Sequence, residues 1–497
     1  STRFIFSTRF IFPEYIMITL AQRRDLTLKA FEAVAWQGSR VKLASEAVQR
    51  IGAARAAFMR LVEDPAITIY GVTSGYGARA SQRLRPEDRR KHAAVSNHGT
   101  ATTFGEPFPE RVVRGFVLAR LANFIEGNAA VRPELVAAVA EMLGSKPLPA
   151  VPAIGNSGAG EILALGHLFA EFGAEFGLEE KEHLALINGS PCAAALVADS
   201  ALVARRRVEI AKEIFALSAE AFLAPTEAYE AVLEGYWNDP AETEALSAIR
   251  GLLKGGAKQR RPYQAPVSYR IVPRILGRAI RARDAAEHAA NVSLGSVTDN
   301  PVFVPPGTQG SDDARFPNGR TLSNGGYHNG MTPPALDDLA ASWADLCLLA
   351  ERQSAKLIDG KVSLLPDQLR AGPDDERELI PLPMASVGLG ERARFAAQRS
   401  FLPGPESGGF GQNDVGVASS MAWQKEGIAG RALDGCLAIL GVIASEALIV
   451  TKRDATPALR ARLEFIRRHV PPVKKLRALG PDVGRLADAF TQEVYTP

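Results

Sequence analysis

The stretch Leu336-Asp-Asp-Leu-Ala-Ala-Ser-Trp-Ala-Asp-Leu-Cys-Leu-Leu-Ala350 decides the fold class. Leu336, Leu339, Trp343, Leu346, Cys347 and Ala350 recur every three or four positions, the repeat of a helix that buries one face. Working outward, the same repeat returns. Ser45 is placed to cap a helix carrying Val48, Ile51, Phe58 and Val62 on one face. Pro133 suits a first helical turn and is followed by Leu135, Val139, Met142 and Leu143. Residues 418–450 read as another helix. Alternating patterns are few, with Ala66–Val72 the one strand candidate. The expected fold class is mainly α, a bundle of long helices over residues 184–450.

The chain has 497 residues, 46% hydrophobic and 23% charged, the balance of a folded globular protein. Lys+Arg minus Asp+Glu is 58 − 55 = +3, which makes no case for a nucleic-acid partner. Three cysteines, Cys192, Cys347 and Cys436, form no CxxC, so neither a disulfide framework nor a zinc site is expected, and a reducing cytoplasm suits them. The longest apolar runs, Leu184–Ala204 and Cys436–Val450, are broken by Asn188, Asp199 and Glu446, and read as buried helices with no membrane partner. Ser1–Phe6 repeats as Ser7–Phe12, so residues 1–16 read as an upstream or non-native segment, with 17–497 as one chain.

Five segments carry chemistry: Tyr70-Gly-Val-Thr-Ser-Gly-Tyr-Gly77, Val151-Pro-Ala-Ile-Gly-Asn-Ser-Gly-Ala-Gly-Glu161, Leu184-Ala-Leu-Ile-Asn-Gly189, Gln264-Ala-Pro-Val-Ser-Tyr-Arg270, and Ser296-Val-Thr-Asp-Asn-Pro301 with Ser323-Asn-Gly-Gly-Tyr-His328. Glycine-rich backbone of this kind can approach a ligand closely. Singly, each has an ordinary reading. Tyr70 reads as a packing residue, Asn188 as a satisfied core amide, Arg270 as half an ion pair, and Asp299-Asn300-Pro301 as a turn. His98, His167 and His328 show no metal-ligand spacing, so no metal is expected.

Together and in this order, from about Leu26 to about Val450, the segments resemble the aromatic amino acid ammonia-lyase superfamily, which includes histidine, phenylalanine and tyrosine ammonia-lyases and related aminomutases. The resemblance rests on YGVTSGYG, ALINGS, SVTDNP and the arginine of VSYR. It implies an all-α homotetramer whose active sites are each built from three subunits, with site loops here in 66–330. It also implies β-elimination of an amine from a small-molecule aromatic amino acid or its betaine. By resemblance Tyr70 is the base, and Asn188 and Arg270 hold the electrophile region and the substrate carboxylate. An arginine suits a carboxylate because its planar fork can take both oxygens. Tyr327 is the aromatic beside the substrate, and His98, Gln264 and Asn413 are its binding residues. A tyrosine base needs positive charge near its oxygen to lower its pKa, and Arg270 is a candidate.

The family makes its electrophile, the MIO group, by cyclising Ala-Ser-Gly with loss of water. Counted back from His167, the tripeptide falls on Gly158-Ala159-Gly160, a degenerate position with no serine. The interval from Pro152 is one residue short, so the missing residue can be the serine itself; either way no hydroxyl is there to leave. Asn156-Ser157-Gly158 is the nearby serine-glycine, two residues out of register. Val267 stands where the family has a second tyrosine, and Asn413 where it often has a carboxylate. The expected cofactor is therefore none. Without an electrophile the substrate must bring a better leaving group, and a trimethylammonium, leaving as neutral trimethylamine, qualifies. In this the chain resembles the ergothionase branch, and Tyr70, Tyr327, Tyr76 or Tyr269 can hold such a cation on their faces. Two alternatives stay open: an MIO lyase or aminomutase built on Asn156-Ser157-Gly158, and a catalytically silent homologue used in binding or assembly.

Overall fold

A computed structural model describes residues 17–144, 147–308, 310–404 and 411–496; the upstream segment 1–16 lies outside the described residues. The helices include α1 (Ser45–Glu63), α2 (Pro86–Ala93), α3 (Glu110–Ile125), α4 (Pro133–Glu141), α5 (Ile162–Phe176), α6 (Glu182–Ile187), α7 (Pro191–Ala221), α8 (Val272–Leu294), α9 (Thr332–Ile358), α10 (Pro381–Ala396) and α11 (Ser419–Val450). The mainly α reading holds, and the opening stretch lies inside α9. Its periodic residues Leu336, Leu339, Trp343, Leu346, Cys347 and Ala350 are all fully buried. Helices α7, α8, α9 and α11 pack along one another as the central bundle, α10 lies across α9 and α11, and α3 leans on α7.

The bundle encloses charge as well as hydrocarbon. The Trp343 indole donates to Glu426 Oε1 at 2.8 Å, and Ser200 Oγ donates to Glu426 Oε2 at 3.0 Å. Arg207 grips Asp434 through two bonds of 2.9 and 3.0 Å. Buried ions persist only when paired and hydrogen-bonded in this way. A Cβ on Gly430 would stand 2.4 Å from Arg207 Nη1, so α11 makes room for the guanidinium by having no side chain there. The span Glu182–Ala221, which joins α6 to α7, and α11 are long and apolar enough to cross a bilayer, but 94% and 89% of their most apolar windows are buried inside the fold. That burial matches the buried-helix reading.

Two local expectations are corrected. Helix α1 begins at Ser45, with Ala44 at its cap and no side-chain cap bond. Its buried face is Ala47, Ile51, Ala54, Phe58, Leu61 and Val62, while Val48 is exposed. Alanines 47 and 54 bury there because small side chains permit close approach: Ala54 Cβ would stand 2.5 Å from a Cβ on Gly127. Ala66–Val72 is not a strand. The N–H groups of Val72, Thr73 and Ser74 all return to the Ile69 carbonyl, and Thr73 Oγ1 accepts from Ile69 N at 2.7 Å. The apolar alternation arises because Ile69 and Val72 bury in a satellite cluster with Phe58 and Phe303. What sheet there is comes in two-stranded pieces, one pairing Phe104–Pro107 with Pro152–Ile154 just before the degenerate tripeptide.

Candidate active site

The tyrosine loop is pinned by sterics. Gly71 has φ +69°, and a Cβ there would stand 2.2 Å from Leu184 Cδ1, so only glycine lets the loop lie on α6. The Tyr70 hydroxyl accepts the Gly77 N–H at 2.9 Å. At the end of α6, Asn188 Nδ2 donates to the Asn300 carbonyl, and the Asn188 carbonyl accepts from the fully buried Arg120. Lys181 and Asp299, both fully buried, pair at 2.6 Å and tie the start of α6 to the Ser296–Pro301 loop. Asn324 then bonds that loop twice, its N–H to Asn300 Oδ1 at 2.9 Å and its Nδ2 to the Asp299 carbonyl at 3.0 Å, which sets Tyr327 in place.

The degenerate tripeptide lies opposite. Gly158 has φ +120° and Gly160 φ +78°, with the Tyr327 ring 3.5 Å from where a Gly160 Cβ would be. The Gly158 carbonyl accepts the Val417 N–H at 2.9 Å. Beyond it, Glu161 accepts the Cys192 and Ala193 N–H groups at the start of α7, where an anion suits the helix dipole. Burial dominates these bonds and pushes its carboxyl up from 4.5 to about 7.

These segments enclose a cleft of about 580 Å³ lined by Tyr70, Ala159, Gly160, Asn188, Tyr327 and Asn413. A larger opening of about 1310 Å³ near Arg24, Arg50 and Asn291 contains none of them, so the chemistry and not the size locates the site. Other expected residues lie elsewhere. Within one chain Arg270 does not line the cleft: it ends the short helical turn Val267–Arg270, and its Nε donates to the Ala265 carbonyl at 3.0 Å. The donor bonded to Tyr70 inside this chain is thus the Gly77 amide and not Arg270. Gln264 is exposed on the same turn's approach. His98 has its ring on Glu171 at 2.9 Å while its neighbour Asn97 turns inward to the His183 carbonyl.

Of the tripeptide, Ala159 and Gly160 line the cleft. Ser157 lines a separate small cavity with Phe108, Glu161 and Cys192, and its Oγ would lie 2.8 Å from a Cβ on Gly416. Ala159 and Gly160, which share the cleft with Tyr70, carry no hydroxyl, whereas the MIO group needs a serine hydroxyl to form.

One cleft residue was not anticipated. His183 is 2% exposed, lines the cleft, and neither ring nitrogen has a partner among the described protein groups. Burial first, then the neighbouring His92 and Lys181, hold its pKa down to about 3, so the ring is neutral. Tyr76 lies 5.4 Å from it and His92 5.5 Å, with Tyr76 and His92 5.0 Å apart. A buried polar group left unpaired costs about 1–3 kcal/mol.

The family model described as aromatic amino acid lyase matches residues 26–175 and 170–468. The histidine ammonia-lyase of Streptomyces coelicolor is 29% identical, over 93% of this chain and 94% of its own. That of Deinococcus radiodurans is 26% identical, over 93% and 92%. Among solved structures, ergothionase from Treponema denticola superposes with a TM-score of 0.86 at 16% identity, covering 97% of this chain and 99% of that one. Tyrosine aminomutase from Streptomyces globisporus superposes with a TM-score of 0.81 at 23% identity, over 97% and 98%.

Proposed function

Since the chain belongs to the aromatic amino acid lyase family, a family of carbon–nitrogen lyases, we propose that it eliminates an amine from an aromatic amino acid or its betaine without an MIO group. The observation that carries this reading is Ala159, which lines one cleft with Tyr70, Asn188 and Tyr327 and has no hydroxyl to lose where a serine would have to dehydrate. In the proposed step the Tyr70 oxygen takes the β-proton, the C–H pair becomes the new C=C bond, and the C–N pair leaves with nitrogen. A trimethylammonium leaves as neutral trimethylamine and needs no further activation. Tyr327 and Tyr76 supply faces for the cation. Asn188, held from both sides by Asn300 and Arg120, is a fixed polar group at the reacting end.

The assembly we propose is a homotetramer in a reducing cytoplasm, with Arg270 and Gln264 delivered to the cleft from neighbouring subunits. Two observations support it. Arg270 and Gln264 lie outside their own chain's cleft. Apolar side chains are also exposed along and beside α10: Met384 at 66%, Phe395 at 82% and Phe401 at 80%.

The test is turnover of an aromatic amino acid and betaine panel, with trimethylamine and ammonia assayed separately, beside the mass of the peptide spanning Ala159. Betaine turnover on an unmodified peptide, reduced at least about 100-fold by Tyr70→Phe, is the expected result. A peptide lighter by two waters sinks the MIO-free reading. Absence of turnover on the whole panel favours the silent homologue.

A further inference from the structure

The cleft has two chemically different ends. At one, Ala159, Gly160, Asn188 and Tyr327 face the atoms that react. At the other, Tyr76 and His183 form a wall backed by His92. Tyr70 lines the same cleft, its hydroxyl bonded to Gly77 beside Tyr76. In the proposed elimination the base reaches the β-carbon, and the substrate's ring hangs from that same carbon. The ring must therefore lie on the Tyr70 side, against the Tyr76–His183 wall.

That wall is not inert. A neutral imidazole offers one N–H donor and one lone pair. Both nitrogens of His183 are buried without a partner among the described residues, whereas most buried polar groups in folded proteins are satisfied. Its position is also held firmly: its carbonyl accepts Asn97 Nδ2, and the adjacent Lys181–Asp299 pair anchors the start of α6. His92 packs edge-on against the ring, the two planes at 84°.

We propose that His183 is the specificity-determining residue of this cleft, hydrogen-bonding a polar atom on the substrate's aromatic ring. The preferred substrates are then amino acids or betaines with an azole or phenol ring, and plain phenyl rings are disfavoured because they leave the imidazole unpaired. The proposal rests on the lyase reading for the direction in which the ring lies.

Binding separates the two claims. The unsaturated acids imidazole acrylate, para-hydroxycinnamate and cinnamate are titrated calorimetrically into the full-length protein and into His183→Leu, His183→Phe and His183→Gln. Wild type is expected to bind one of the two polar-ring acids at least about tenfold tighter than cinnamate. The ratio should fall close to one in His183→Leu and His183→Phe, and survive in part in His183→Gln, which keeps a donor and an acceptor. The phenylalanine variant preserves ring packing against Tyr76, so it reports on polarity if the leucine variant does not fold. A wild type that does not discriminate overturns the proposal, and so does a ratio unchanged in the apolar variants. A His183-dependent ratio without turnover upholds the residue's role and sinks the lyase reading; turnover with no such ratio does the reverse.

Discussion

At Gly71, an added methyl meets Leu184 on a backbone already in the left-handed region. Gly71→Ala is expected to lose about 1–3 kcal/mol of stability and to displace Tyr70, read as a lowered unfolding midpoint with a loss of turnover exceeding what the stability change explains. Glu161 supplies a pH signature. Its folded pKa, about 7, lies above the ordinary 4.5, so the folded state holds the proton more tightly. Its contribution to stability is full below about 4.5 and is lost as pH rises through about 7. The stability difference between wild type and Glu161→Gln, followed by urea titration from pH 4 to 8, should shift against wild type across that window; a flat difference contradicts it. Of these residues, Tyr70, Asn188 and Tyr327 were legible through the ordered set of motifs that resembles the lyase family, since each taken alone reads as an ordinary packing or turn residue. His183 was not: nothing in LEEKEHLALINGS says that its ring is buried without a partner, since burial comes from α2 and the tyrosine loop folding over it. That Ser157 and Ala159 face different cavities was equally hidden, because two glycines with positive φ set the direction of that turn.

Among the elements, the interlock of α7 with α11 makes a sharp prediction. Asp434→Ala leaves Arg207 buried without its bidentate partner and should cost about 3–5 kcal/mol in chemical denaturation. Gly430→Ala drives a methyl into the same guanidinium and should cost about 1–3 kcal/mol while leaving the cleft residues in place. If Gly430→Ala is neutral, the guanidinium has room the geometry does not predict. Long helices were readable because three-to-four periodicity over many turns leaves little alternative, as in α9 and α11. Short elements were not. Ala66–Val72 alternates like a strand, yet its hydrogen bonds close on Ile69, a choice made by the Thr73 hydroxyl and the satellite core. The cap of α1 slipped by one residue because Ala44 already has the extended backbone a cap requires.

For the whole molecule, light scattering should give a mass four times that of the chain. A sharper check mixes two inactive proteins. Tyr70→Phe and Arg270→Ala chains, unfolded together and reassembled, should recover activity in about a quarter of sites by independent sorting, because each cleft would draw the two residues from different chains. No recovery would place both residues in one subunit's site. The displacement of Arg270 from its own cleft has a genetic corollary. In the proposed assembly, a copy damaged at both Tyr70 and Arg270 would spoil one cleft with its loop and another with its missing arginine. Such an allele, expressed beside a sound one, should behave as partly dominant, poisoning more centres than it contributes.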